Sequence, residues 1–294
     1  MRTSLQGIIT VCPTPLNEDE TLDAPAFQRI IEYTLAGGVH GLWVLGSAGE
    51  LPNLNYKDRR RAIKTAVEVV NGRVPVIVGV GHTGTRLTIE AAQEAKKLGA
   101  DIVNVVPPYY FKYGEEHSIR HYQLILEAIE LPLVIYRWGS PSLSLSAMAK
   151  LCEDPKVVAI KDVPTEFRVF QEMVALLGPM GVSVFTASGQ LIHPATMVGG
   201  HGAAALEAAI APKLCVSVYE AARENRNEEA ATLQQKLSRL SSVLFTHPHE
   251  GRRSSKAALV VMGLCKPFVT APFEPATPQM LEEIRGVLSD LDLI

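Results

Sequence analysis

Val157-Val158-Ala159-Ile160-Lys161-Asp162 carries four small or β-branched apolar residues straight into a lysine. Such a short apolar run predicts a strand buried on both faces, as in parallel sheets. A lysine at the end of that strand has little water around its charge. Burial lowers a lysine pKa from about 10.4 and frees the amine as a nucleophile. The plainer reading is that Lys161 snorkels to solvent or pairs with Asp162. Leu133–Tyr136 predicts the strand just before, and Tyr136 ends it. A tyrosine beside a desolvated lysine can relay protons during imine formation. A core aromatic with a satisfied hydroxyl is its plainer reading. Gly46-Ser47-Ala48-Gly49-Glu50 is a small-residue turn after another apolar run. Its backbone N–H groups and the Ser47 hydroxyl could form a carboxylate nest, or the turn could simply be tight.

Other patterns carry less. Gly79-Val80-Gly81-His82-Thr83-Gly84 fits a dinucleotide-loop pattern. The acid expected at the end of the next strand is missing, and Asp101 falls at that strand's start, so these glycines read as loop geometry. His117 and His121, and His247-Pro248-His249, are pairs without a third ligand. They read as surface histidines, and no metal is expected.

The surrounding elements alternate. Strands are predicted at 7–12, 39–45, 74–80, 101–106, 133–136, 157–161, 182–187 and 202–206, each followed by a helix or turn. Asp23 should cap the first helix, with Pro25 in its first turn, and Asn55 should cap the second. Eight βα units at this spacing predict an α/β fold, a closed (β/α)8 TIM barrel rather than an open doubly wound sheet. Residues 1–224 are read as the catalytic barrel and 225–294 as a C-terminal helical region, with Leu233, Leu237, Leu240 and Leu244 forming one apolar stripe. Catalytic groups in a barrel lie at the carboxyl ends of strands. Here those ends carry Thr14, Ser47, His82, Tyr110, Tyr136, Lys161, Ser188 and Glu207.

The 294 residues are 47% hydrophobic, enough for one large core, with a net charge of −3. Arg59-Arg60-Arg61 and Arg252-Arg253 are the densest basic runs. Neither makes a stripe, so nucleic-acid binding has no electrostatic support. Cys12, Cys152, Cys215 and Cys265 are widely spaced, as expected of buried thiols in a reducing compartment. The N-terminus lacks a signal-peptide pattern, and Ala257–Cys265 is too short to span a bilayer. A soluble, cytoplasmic protein is expected.

Taken together in order, these residues resemble the dihydrodipicolinate synthase / N-acetylneuraminate lyase family of lysine-dependent, pyruvate-type aldolases. The resemblance runs over nearly the whole chain. Thr14-Pro15 is similar to the family's Thr-Pro after the first strand. Gly46–Glu50 resembles its Gly-(Thr/Ser)-Thr-Gly-Glu turn, and Pro108-Tyr109-Tyr110 its Pro-Tyr-Tyr. Tyr136 and Lys161 match its strand-end tyrosine and Schiff-base lysine, and Gly202–Pro212 follows its last-strand segment. The resemblance implies that Lys161 forms an imine with a 2-oxo acid, so that no separate cofactor is needed. It implies that Tyr136 shuttles the proton, and that Ser47 links Tyr136 to solvent or to a Tyr110 donated by a neighbouring subunit. The turn at Ser47 and Ala48 would hold the substrate carboxylate. A homotetramer, a dimer of dimers, is implied by the same likeness.

The departures shape the expected substrate. Ala48 replaces the second hydroxyl residue of the turn. After Tyr136 come Arg137-Trp138-Gly139-Ser140-Pro141-Ser142, so the synthase's carboxylate-gripping arginine falls on Pro141. Arg137 is either a shifted cation for substrate or a structural residue. Asp162-Val163-Pro164-Thr165 stands where the family has a small polar turn. Gln190 replaces an acid, Ala209 replaces an asparagine, and Glu207 adds a carboxylate at the last strand's mouth. Gln190, Glu207 and Arg137 are therefore the candidate acceptor-binding residues. The expected activity is a Schiff-base aldolase or lyase acting between pyruvate and an aldehyde, on a 2-oxo-3-deoxy acid. The alternatives are a dehydratase or hydratase–aldolase using the same imine, dihydrodipicolinate synthesis proper, which the missing arginine argues against, and a non-catalytic binding relative.

Overall fold

The computed structural model describes residues 4–137, 143–163, 166–246 and 251–294. Eight parallel strands close into a barrel in sequence order. They are β1 (Gly7–Val11), β2 (Gly41–Val44), β3 (Val76–Gly79), β4 (Ile102–Val105), β5 (Leu133–Arg137), β6 (Val157–Asp162), β7 (Ser183–Thr186) and β8 (Gly202–Ala205). The helices between them are α1 (Ala24–Ala36), α2 (Tyr56–Val70), α3 (Thr85–Lys97), α4 (Glu115–Ala128), α5 (Leu145–Leu151), α6 (Phe167–Leu177) and α7 (Ile192–Met197). After β8 come α8 (Pro212–Arg223), α9 (Asn227–Leu244), α10 (Gly251–Val261) and α11 (Pro278–Asp290).

Local chemistry sets the helix boundaries. The Asp23 carboxylate accepts from the Ala26 N–H and the Asn55 side chain from the Asp58 N–H, each satisfying a free donor of the first turn. Asn71 ends α2 in the left-handed conformation. Gly79 is required by close packing, because a Cβ there would lie 2.0 Å from the Leu45 carbonyl oxygen. Of the glycines in that stretch, Gly79 at the end of β3 is the one that serves close backbone approach, while a Cβ at Gly84 would meet nothing within 4 Å.

The strands alternate between two cores. Ile9, Val11, Trp43, Ile77, Val134, Tyr136, Ala159 and Phe185 fill the barrel interior. Ile8, Leu42, Val44, Leu133, Ile135 and Ile160 pack outward against the helices. One irregularity breaks the alternation. Leu133 pairs with Val157, but the next residue, Val134, pairs with Ala159, so Val158 is an extra residue in β6. Val158 and Ala159 both belong to the inner cluster. A bulge re-aims the side chains beyond it. Here it turns Lys161 inward, level with Tyr136 on one side and Phe185 on the other. Uninterrupted pairing from Val157 would have put Ile160 inside and Lys161 among the helices.

The leucine stripe of α9 packs within its own chain: Leu237, Leu240 and Leu244 are buried in the outer core and Leu233 lies partly buried against it. No described helix is long and apolar enough to cross a membrane. His121 corrects the sequence expectation. It is buried at 3% exposure, bonded through Nδ1 to the Thr85 hydroxyl, and burial holds its pKa down at about 4. His117 is exposed, and His247, Pro248 and His249 lie outside the described residues. Among the described residues no group of three His, Cys, Asp or Glu side chains is placed to hold a metal ion.

Candidate active site

Lys161 lies at the carboxyl end of β6 and is 4% exposed. Its Nζ sits 4.4 Å from the centre of the Tyr136 ring and 4.7 Å from that of Trp43. No carboxylate or hydrogen-bond acceptor contacts Nζ among the described residues. Removal from water is the dominant influence and lowers the Lys161 pKa to about 7; the charge of Glu207 pulls weakly the other way. A large fraction of the amine is therefore unprotonated near neutral pH. The plainer reading of Lys161, pairing with Asp162, does not hold. Asp162 points to the outer face and takes two bonds from Arg137, at 2.7 and 3.2 Å.

Tyr136 is buried, meets Trp43 edge to face at 5.9 Å, and has its phenol pKa pushed up by burial. A hydrogen bond with the Ser47 side chain opposes that shift. The Tyr136 hydroxyl thus keeps its proton until something takes it. Trp43 was missed as a site residue because its apolar strand gives no chemical signal. It supplies the second aromatic face against the amine.

The turn after β2 is held from several sides. Thr14 donates to the Gly49 carbonyl at 2.8 Å. Glu50 adopts φ 55° and binds the Thr270 N–H and hydroxyl through Oε2 and Lys256 Nζ through Oε1, at 2.5 Å. Arg252 Nε donates to the Ser47 carbonyl at 2.9 Å. The backbone N–H groups of Ser47, Ala48 and Gly49 have no acceptor among the described residues. Donors left free in this way form an anion-binding concavity.

Lys161, Tyr136, Trp43, Ser47, Ala48 and Arg252 share one cavity of about 360 Å3. A second, of about 230 Å3, shares Ser47, Tyr136 and Arg252 and continues to Asn53, Asn104 and Phe273. Of the sequence candidates, Lys161, Tyr136, Ser47 and Ala48 are brought together. Four others are not. Arg137 faces the outer layer, where it holds Asp162. Tyr110 is 74% exposed, beside Phe111, with no reach to Lys161 in its own chain. Gln190 is exposed on a short 3-10 turn. Glu207 is fully buried behind Gly189, lining neither cavity. Its Oε1 accepts from the Gly189 N–H and the Ser241 hydroxyl, while its Oε2 has no partner. Burial raises the Glu207 pKa. It can act on Lys161 through its field. Pro141 and its neighbours, and Pro164 and Thr165, lie outside the described residues.

Residues 4–291 match the dihydrodipicolinate synthetase family. A protein of Nitrobacter hamburgensis named 4-hydroxy-tetrahydrodipicolinate synthase is 32% identical over 299 residues, covering 100% of this chain and 99% of the relative. Among solved structures, dihydrodipicolinate synthase from Thermotoga maritima has a TM-score of 0.94 at 30% identity, covering 99% of this chain and 100% of its own. A prophage protein of E. coli K12 belonging to the dihydrodipicolinic acid synthase family, solved with pyruvate, scores 0.93 at 27% identity, covering 99% and 100%. The closed barrel of parallel strands agrees with these neighbours.

Proposed function

The chain belongs to the dihydrodipicolinate synthetase family, a family of class I aldolase-type lyases, and from that premise we propose a Schiff-base aldolase or lyase. It makes or breaks a carbon–carbon bond between pyruvate and an aldehyde, on a 2-oxo-3-deoxy acid. The observation that carries this reading is the buried Lys161 amine, without a carboxylate or acceptor among the described residues and set between the Tyr136 and Trp43 rings. The unprotonated amine adds to the keto carbon. The carbinolamine then loses water, its hydroxyl taking a proton that Tyr136 relays, and leaves a protonated imine. In the cleavage direction, the C4 hydroxyl loses its proton as the C3–C4 bond breaks. The electron pair flows into the imine, and C4 departs as the aldehyde. Protonation of C3 and hydrolysis then release pyruvate and restore Lys161. The aromatic faces favour the iminium cation, and the N–H groups of 47–49 hold the 2-oxo carboxylate. The imine is the only electron sink this scheme needs.

In this reading, residues 1–224 carry the chemistry and 225–294 brace the turn at 46–50. Tyr110, with the exposed Tyr109, Phe111 and Tyr113 beside it, suits a neighbouring subunit of a cytoplasmic homotetramer, where it extends the proton path through Ser47.

Incubation with pyruvate and borohydride, followed by mass measurement, tests the imine. A stable adduct on Lys161 is expected. No adduct with any of several 2-oxo acids would sink the reading and favour a binding protein. Release of pyruvate from candidate substrates separates aldol cleavage from dehydration by the same imine. The names of the relatives favour synthesis of 4-hydroxy-tetrahydrodipicolinate instead. Proline at position 141, where that synthase has its arginine, argues against it. A direct assay for that product decides between them.

A further inference from the structure

Arg252 stands in the first turn of α10, where a cation opposes the helix dipole. Helix stability therefore does not account for it. Its Nε is fixed on the Ser47 carbonyl, and its guanidinium lies 5.1 Å from the centre of the Phe273 ring. Held on two sides, the guanidinium has lost its freedom before any ligand arrives. Its two Nη groups have no acceptor among the described residues, and no carboxylate there pairs with it. Arg252 also forms part of the wall of both cavities, the one containing Lys161 and its continuation toward Asn53 and Asn104. A half-buried, oriented and unpaired guanidinium is a fork suited to a carboxylate. The 2-oxo carboxylate already has its donors in the free N–H groups of 47–49. The fork is thus available to a different group.

We propose that Arg252 binds a second carboxylate at the far end of the substrate, so that the site selects 2-oxo acids bearing two acidic groups. This inference rests on the imine-forming reading above and names its substrate class. Arg252 is a specificity residue here; it takes no part in bond making.

The test is calorimetric titration of the full-length protein with two pairs of 2-oxo acids matched in length. These are 2-oxoglutarate against 2-oxopentanoate, and 2-oxoadipate against 2-oxohexanoate. The wild type should bind at least one diacid roughly tenfold or more tighter than its monoacid partner, the range of a charge-assisted hydrogen-bonded pair. In Arg252→Gln the preference should fall to within about twofold, and Arg252→Lys, which keeps the charge without the fork, should retain part of it. If Arg252→Gln does not fold, the reduced preference of Arg252→Lys carries the result. Equal affinities in the wild type, or a preference that survives both substitutions, overturn the proposal. So does an equal weakening of monoacids and diacids, which would place Arg252 on the 2-oxo carboxylate. Borohydride trapping of pyruvate on the wild type is scored separately. A failed imine therefore cannot be mistaken for a failed carboxylate site.

Discussion

Lys161 and Lys256 are both almost completely buried, at 4% and 1% exposure, yet their surroundings differ in one respect. Lys256 meets Glu50 at 2.5 Å and the Phe268 carbonyl at 2.9 Å. Lys161 meets two aromatic rings and, among the described residues, no oxygen. Burial lowers the pKa of both, but Glu50 raises that of Lys256 against it. The difference teaches how burial alone does not make a nucleophile. A buried ammonium with a carboxylate stays charged and clamps structure. Without one, it gives up its proton and becomes reactive.

The comparison can be broken by exchange. Lys161→Met should lower turnover on the order of 10^4-fold or more, since Lys161 is the lysine among the described residues that line its cavity. Its folding should be intact, because an apolar chain replaces an unpaired amine; a variant that keeps turnover removes Lys161 from the mechanism. Lys256→Met should do the reverse in kind. It strands the Glu50 charge and should cost about 3–5 kcal/mol in denaturant unfolding. In Lys256→Met/Glu50→Gln the loss should be partly recovered, and a purely additive result would deny the clamp. Tyr136→Phe should slow turnover about 10^2–10^4-fold, the usual range for a proton relay. Borohydride trapping should persist in it, more slowly.

The smallest effects are those of pH. The acid limb of kcat/KM should lie at about 7, where Lys161 deprotonates. Glu207→Gln should move that limb to lower pH, because the Glu207 charge favours the ammonium. An upward move would remove Glu207 from the field at Lys161. The stability linkage has a definite sign. The folded pKa lies below the unfolded value of about 10.4, so between about 7 and 10.4 the unfolded chain binds more protons. The Lys161 contribution to stability therefore grows as pH rises through that window and is lost on the way down. Lys161→Met should flatten this slope, whereas Lys256→Met should not abolish it.

Much of the barrel was legible because a parallel strand is buried on both sides and shows as an unbroken apolar run. The caps at Asp23 and Asn55 and the pairing of Tyr136 with Lys161 follow from local signals of that kind. The bulge at Val158 does not, since nothing in Val-Val-Ala-Ile marks which residue is extra. Arg137 and Arg252 show the same limit from opposite sides. Position after Tyr136 suggested a substrate cation, and strand parity sent Arg137 outward to Asp162. Arg252 stood out in the sequence only as half of a short basic run, yet contacts with Ser47 and Phe273, 205 and 21 positions away, bring it into the site.

The extra residue in β6 also bears on how such a site can change over generations. The direction of Lys161 is set by its register against β5, not by the side chains around it. Loss of the single codon for Val158 would remove the extra residue itself and leave Leu133 opposite Val157 and Val134 opposite Ala159 in an unbroken ladder. Lys161 would still face inward beside Tyr136, and the deletion protein should still give a borohydride adduct with pyruvate. One alanine inserted between Ile160 and Lys161 should instead turn the lysine toward the helices and abolish the adduct. Drift is thus free to change the side chains around the mouth one at a time, while the nucleophile is kept in place by register.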